Sequence, residues 1–421
     1  MKILKHKGLG IYIPLLIVLI MYYYVDGVII FALNMLYIIY IIIFKKHGKL
    51  ISLKYITVSP LVAMVIIAVF CGIYNFGEFN ARDILRDYYN YLQPILYIIV
   101  GYYLYFYMGK RYDIYRTVIV AAVILAFIYS IRVIQNPSIW TSSSIIDIRT
   151  EVGKETFINL ISCALLITKK DIFEKRIQNI CTFFLIFIFI IQFSRASYGT
   201  LIILMFVYLV LQKKDSFKIV KNTFIGLIAF SIMWYILPNN LTSDFVERIV
   251  KSLTEVSASS TVWNMDTIQS NWRGYENYTV SRIFEDANLL KKIVGFGFGK
   301  AAYLGGITIN LGYSDYTSIA VFHNGYIQVL LKSGIVGIVL LLSFYLENIK
   351  RLYRASQIAI LHYETQFMIS LLCSCLFLTY VKGGIFRGSS LYELCILLGY
   401  IGAKCKNVTS NGYRLRKKVV D

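Results

Sequence analysis

Charge is scarce in this chain, and negative charge scarcest. Only 16% of the 421 residues are Asp, Glu, Lys or Arg, with 23 acidic against 43 basic side chains. A soluble domain is nearer a quarter charged, so an ordinary soluble fold is excluded. There are five prolines, and no Pro-rich linker or low-complexity stretch separates domains. The seven cysteines (Cys71, Cys163, Cys181, Cys373, Cys375, Cys395 and Cys405) lie in or at the ends of apolar runs. A disulfide framework or a zinc site needs clustered cysteines in a polar setting, so all seven read as small apolar filler. Histidine is the rarest titratable group, at four residues.

What is present is apolar sequence, 58% of the chain, with a mean hydropathy of +0.64. Runs long enough to cross a bilayer predict an all-α polytopic membrane protein of about twelve spans. They fall near 11–25, 28–44, 56–74, 92–108, 117–134, 156–168, 178–193, 197–212, 221–237, 322–346, 365–381 and 389–403. The sixth is short and led by Glu155. No small-x-small cleavage site follows the first run, which is therefore the first span and not a signal peptide.

The net charge of +20 resides in short clusters between the runs. Alternating the connecting segments puts 27 of the 43 Lys and Arg on one side, including the basic clusters of the short segments between closely spaced runs. That is the topology signal of a membrane protein, and it argues against nucleic acid as a partner. Both termini are then cytoplasmic. The expected organisation is spans one to nine over 1–237, a large extracytoplasmic loop over 238–320, spans ten to twelve over 321–403, and a basic tail over 404–421. The loop reads as short amphipathic helices, DFVERIVKSLTEV and SRIFEDANLLKKIVG, between Ser, Asn and Gly turns. With few apolar residues for a core of its own, it is expected to lie over the spans.

The outer side carries cations that the positive-inside tendency disfavours: Arg82, Arg86, Arg132, Arg195, Arg248, Arg273, Arg282 and Arg387. An Arg at a span end is costly unless it is paired or lines a wet cavity. Guanidinium groups also bind phosphate in fork geometry, which suits an anionic group on a lipid. Local pairing is the plainer alternative for some: Arg82 with Asp83, Arg86 with Asp87, Arg248 with Glu247 or Asp244, Arg282 with Glu285. Arg195 and Arg387 have no carboxylate nearby in sequence.

His323 is the one histidine on the outer side, in HNGYIQVLLKSGIVG at the start of the tenth span. A histidine at a helix start is often structural. Beside a long loop and a cationic face it could also take a proton from a hydroxyl nucleophile. Ser333, Gly334 and Gly337 are small residues where another helix could approach closely. Gly295, Gly297 and Gly299 form a GxGxG run without the preceding strand of a dinucleotide site, leaving a tight turn against the helices or a phosphate nest.

Three features then follow one another in order. FSRASYGTLIIL heads a span, Arg282 and GFGFG follow in the outer loop, and HNGYIQVLLKSGIVG opens the next span. In that order they resemble the O-antigen polymerase and O-antigen ligase family of bacterial envelope glycosyltransferases (the Wzy type). In that family an Arg, a Gly-x-Gly and a His-Asn bracket the catalytic loop. The likeness covers roughly 190–345, and the span layout agrees along the chain. Lys332 and the SRxS order depart from the pattern.

The resemblance implies a GT-C-like membrane glycosyltransferase in the bacterial cytoplasmic membrane, with its active site facing outward. The donor would be an undecaprenyl-diphosphate-linked oligosaccharide. A sugar hydroxyl attacks the anomeric carbon and the lipid diphosphate leaves, so positive charge on the developing anion is what helps. Arg282 would supply it with Arg195, and Arg273 and Arg387 would clamp the diphosphate. His323 would orient or deprotonate the hydroxyl, and Asn324 would hold the acceptor. Trp263, Trp272, Tyr275 and Tyr278 could stack on sugar rings. With no acidic cluster on the outer side, the expected transfer is inverting, metal-independent and without cofactor. A polysaccharide (O-antigen or capsular) polymerase is the favoured reading, with a chain-length regulator and a flippase as partners. A ligase to lipid A-core differs only in the acceptor. A flippase would need cations along a transmembrane path, where Lys332 is the main one. A non-enzymatic scaffold would need no chemistry at position 323.

Overall fold

The computed structural model describes residues 10–25, 27–40, 43, 56–75, 79–108, 112–136, 157–169, 171–192, 194–212, 263–304, 309–310, 315–386 and 391–420. The described chain is almost wholly helical, with two short antiparallel strand pairings. It forms two compact units, Met1–Ile30 with Leu104–Val250, and Phe31–Tyr103 with Lys251–Asp421.

In the first unit α1 (Ile13–Met21) carries Pro14 in its first turn, where a missing N–H costs nothing. Two helices, α2 (Gly27–Tyr40) and α4 (Ala81–Met108), cross the boundary between the units. The centre of the first unit is α5 (Ile114–Gln135), capped by Asp113, whose carboxylate accepts from the Tyr115 amide at 2.9 Å. It is tied to the stretch before α1 by Tyr12 N–H donating to Thr117 Oγ1 at 3.2 Å. Next to it α6 (Phe157–Thr168) is buried along most of its length, as expected of a helix apolar on every side. At 12 residues it is shorter than the ~20 a straight crossing takes. The unit is completed by α7 (Lys175–Ile191) and α8 (Arg195–Gln212).

The second unit is built around α3 (Ser59–Tyr74), α12 (Gly325–Ala355), α13 (His362–Lys382) and α14 (Tyr392–Val420). Asn348 of α12 locks onto the start of α3, accepting from Thr57 N–H at 3.0 Å and donating to Thr57 O at 2.9 Å. Glycines let α4 and α14 touch backbone to backbone: a Cβ on Gly399 would lie 2.0 Å from the Ile98 carbonyl. Between α4 and α12 the chain forms α9 (Met265–Ser270), α10 (Trp272–Glu285) and α11 (Leu289–Val294). β1 (Ala302–Tyr303) then pairs with β4 (Ser318–Ile319), and β2 (Ile309–Asn310) with β3 (Asp315–Tyr316).

Four described stretches are long and apolar enough to cross a membrane: Ile114–Gln135, Arg195–Gln212, Gly325–Ala355 and Ala359–Lys382. The shorter apolar helices Gly27–Tyr40, Ser59–Tyr74 and Phe157–Thr168 coincide with expected spans. The expected ninth span, 221–237, and the first part of the outer loop lie outside the described residues. The protein is an all-α membrane protein.

The expected tenth span is not the straight rod that its apolar run suggests. At Gly334 φ is 63° and ψ is −162°, a conformation open to glycine alone, and the helix breaks there. A straight helix would hold Tyr326 and Tyr345 about 28 Å apart. Instead Tyr326 donates its hydroxyl to Leu376 O at 3.0 Å, while Tyr345 Oη lies 3.3 Å from Thr379 Oγ1. Both thus reach neighbouring turns of α13, and a Cβ on Gly325 would lie 3.0 Å from the Thr379 methyl. The arm 325–333 folds back along 335–355. Gly334 is small in order to bend the chain.

Candidate active site

The GFGFG run plugs into that bend. Breaking the helix frees carbonyls that would otherwise accept from within it. Leu331 O accepts from Phe296 N–H at 3.0 Å and Lys332 O from Gly297 N–H at 2.9 Å. The next two amides are also spent on protein: Phe298 N–H on Ala68 O at 3.0 Å, and Gly299 N–H on Asp87 Oδ2 at 2.8 Å. With its amides so engaged, the run is a structural plug and not a phosphate nest. Gly297, at φ 89°, passes so close to α3 that a Cβ would sit 2.0 Å from Gly72 N.

Beneath the plug Lys332 and Asp87 form a fully buried ion pair, Nζ to Oδ2 2.5 Å, and Lys332 also donates to Lys300 O. This corrects the local pairing read from the sequence. Arg86 pairs with Asp83, one turn back at 2.6 Å, which leaves Asp87 for Lys332. Arg82 is exposed, and its amide is held by Asn80 Oδ1. A hollow of about 220 Å³ opens beside the plug, lined by Phe79, Asn80, Asp83, Gly299, Lys300 and Ala301.

The segment expected to form the outer loop does build a core, contrary to expectation. Ile268, Tyr275, Val280, Phe296, Ala302, Leu304, Ile319 and Phe322 pack together with Leu331 of the folded-back arm. Trp263, Trp272 and Tyr278 pack against this cluster, and Tyr275 lies within it. These aromatics thus serve as packing groups for the core. The Tyr275 hydroxyl donates to Leu304 O at 3.2 Å, and burial above all raises its phenol pKa from the ordinary value.

This core seats α10 against the start of the arm. Asn271 caps α10 by accepting from Gly274 N–H at 3.0 Å. One turn in, Glu276 is 1% exposed at its side chain and meets His323 twice. Its Oε2 accepts from the His323 amide at 2.9 Å, and its Oε1 lies 2.9 Å from the ring Nδ1. The His323 side chain is 28% exposed, so the ring is held from behind and open in front. Sequence reading missed Glu276, which sits amid polar residues 47 positions from its partner. Its one visible signal was a lone carboxylate in an otherwise acid-poor stretch.

Asn324 is buried and caps the arm, its Oδ1 accepting from Tyr326 N–H at 3.0 Å and Ile327 N–H at 3.4 Å. Its Nδ2 makes no hydrogen bond to any described residue. Arg273 is half-buried on α10 three residues before Glu276, a spacing that puts both on one helical face. Arg282 is exposed, lies roughly 120° around the helix from Glu276, and makes no ion pair with Glu285 or any other described residue. In the other unit Arg195 opens α8, beside a hydrogen bond of 2.9 Å between Ser194 and Ser197. There too Arg132, in the last turn of α5, lies 5.5 Å from the Tyr24 ring. Arg248 and Arg387 lie outside the described residues. Among the described residues no three His, Cys, Asp or Glu side chains are grouped to hold a metal ion.

The site therefore offers one half-exposed imidazole backed by a buried carboxylate, with a guanidinium one turn away along α10. It can accept a proton and steady an anion. No curated protein matches the chain. Residues 180–342, from α7 to the folded-back arm and just beyond, match the family model described as O-antigen ligase. Over that segment the chain is similar to that family, in keeping with the resemblance carried by its ordered motifs.

Proposed function

We propose that the protein is a polysaccharide polymerase of the bacterial cytoplasmic membrane, with about twelve spans, both termini in the cytoplasm and the site facing outward. It transfers a glycan from one lipid diphosphate to the repeat unit on another, undecaprenyl diphosphate being the carrier. The observation that carries this reading is the imidazole of His323, held on Glu276 within the segment that matches the family. A hydroxyl of the acceptor sugar attacks the anomeric carbon, its proton passes to His323, and the carbon–oxygen bond to the diphosphate breaks with inversion. Diphosphate leaves readily, so the protein's task is to steady negative charge. Arg273 and Arg282 supply that charge, with Arg387 as a further diphosphate contact. Asn324 keeps its amide N–H groups for the acceptor while its oxygen caps the arm. The transfer needs no metal or cofactor.

The description of the matching family favours a second reading, a ligase that hands the finished glycan to lipid A-core or another acceptor. The engagement of Lys332 by Asp87 weighs against a flippase, since that cation is not free to serve a transport path. His323→Ala tests the proposal. With the protein inserted at normal levels, single repeats should persist while long-chain glycan disappears. Long chains left on the lipid carrier would instead assign the ligase, and unchanged glycan would exclude both enzymes.

A further inference from the structure

We propose that Glu276 is a positioning residue that sets which nitrogen of His323 carries the proton, an inference that rests on the transferase reading above. A carboxylate only accepts hydrogen bonds. With Oε1 2.9 Å from Nδ1, the neutral ring must place its proton on Nδ1. The lone pair is then left on Nε2, the nitrogen on the far side of the ring from Glu276. Oε2 takes the His323 amide at 2.9 Å, so one buried side chain fixes both the backbone and the ring of the same residue. Rotation of the imidazole would break the ring contact and leave a carboxylate oxygen buried without its partner, a costly change.

The chemistry follows from that arrangement. As the oxygen–carbon bond forms and the bond to the diphosphate breaks, the sugar hydroxyl gives its proton to Nε2. The imidazolium so formed has both nitrogens protonated, and the Glu276 charge beside Nδ1 stabilises it. Glu276 touches neither sugar nor diphosphate. It acts through His323.

Two measurements test this. The first is the 15N spectrum of histidine-labelled protein in bilayers, with the His323 signals identified by subtracting the spectrum of His323→Ala. In its neutral form His323 should show a protonated, hydrogen-bonded Nδ1 and a bare Nε2. The opposite tautomer in the unaltered protein would overturn the proposal, with no need for the variant to fold.

The second is Glu276→Gln in the native host lacking its own copy, read as the length of the surface glycan. A glutamine amide can donate to Nδ1, which moves the proton to Nε2 and removes the base. Transfer should fall by about 10²- to 10⁴-fold at unchanged protein level, with the spectrum showing the switched tautomer. Transfer at the unaltered level in Glu276→Gln would overturn the proposal. If His323→Ala itself left the surface glycan unchanged, the transferase reading would fail, a result distinct from a failure of Glu276 alone.

Discussion

The Lys332 ammonium and the Asp87 carboxylate meet at 2.5 Å, and neither side chain touches solvent. Both lie on helices of an apolar unit, 245 positions apart in sequence, and together they hold the Gly299 end of the plug. An ion pair so placed is costly to form and costlier to break in half.

Lys332→Met or Asp87→Leu alone should therefore destabilise the protein by about 3–5 kcal/mol, read as a lower unfolding temperature in detergent. The double variant, which leaves no lone buried charge, should recover much of that loss. A double variant as unstable as the worse single one would show that the pair also has work the charges alone perform.

Gly334→Ala should prevent accumulation of folded protein. The added methyl would sit 2.3 Å from the Ile293 carbonyl, on a backbone with φ of 63°. Both faults act together, so normal accumulation would mean that the arm 325–333 runs straight on into the span.

Arg273→Lys and Arg282→Lys each keep the charge and remove the planar fork. Transfer should fall about 10²-fold for Arg273→Lys, because that residue shares a helical face with Glu276. Arg282→Lys should fold normally, since its side chain is exposed, and should lose less transfer than Arg273→Lys. Reversal of that order, read from glycan length at matched protein levels, would move the anion to the other side of α10.

Asn324→Ser should preserve the cap, because serine caps as well as asparagine, while Asn324→Ala should cost about 1 kcal/mol. If the amide N–H groups hold the acceptor, Asn324→Ser should lose transfer while keeping its unfolding temperature. Undiminished transfer in that variant would leave Asn324 as a cap alone.

The apolar runs revealed the membrane class, because a span must be continuously apolar whatever it packs against. They could not reveal the bend at Gly334: KSGIVG keeps a helical apolar pattern, and only the plug of Phe296 and Gly297 explains why the helix opens. His323 stood out as the one outward histidine. Glu276 did not, because a carboxylate recruited across 47 residues leaves no local spacing to read. Arg86 and Asp87 looked like a local pair because they are adjacent, yet neighbouring helical side chains diverge, and the structure pairs Arg86 with Asp83. The GFGFG run was legible as a tight turn, while its partners on α3, α4 and α12 were not.

The chain leaves and returns at a common doorway between Ala302 and Ile319. Ala302 pairs with Ile319, and the Leu304 amide donates to Thr317 O at 2.9 Å, so the chain between them is stitched shut at its base. Changes of length between Leu304 and Thr317 would then leave in place both the stitch and the imidazole six residues past Thr317. Length can vary there while the hold of Glu276 on His323 stays as it is.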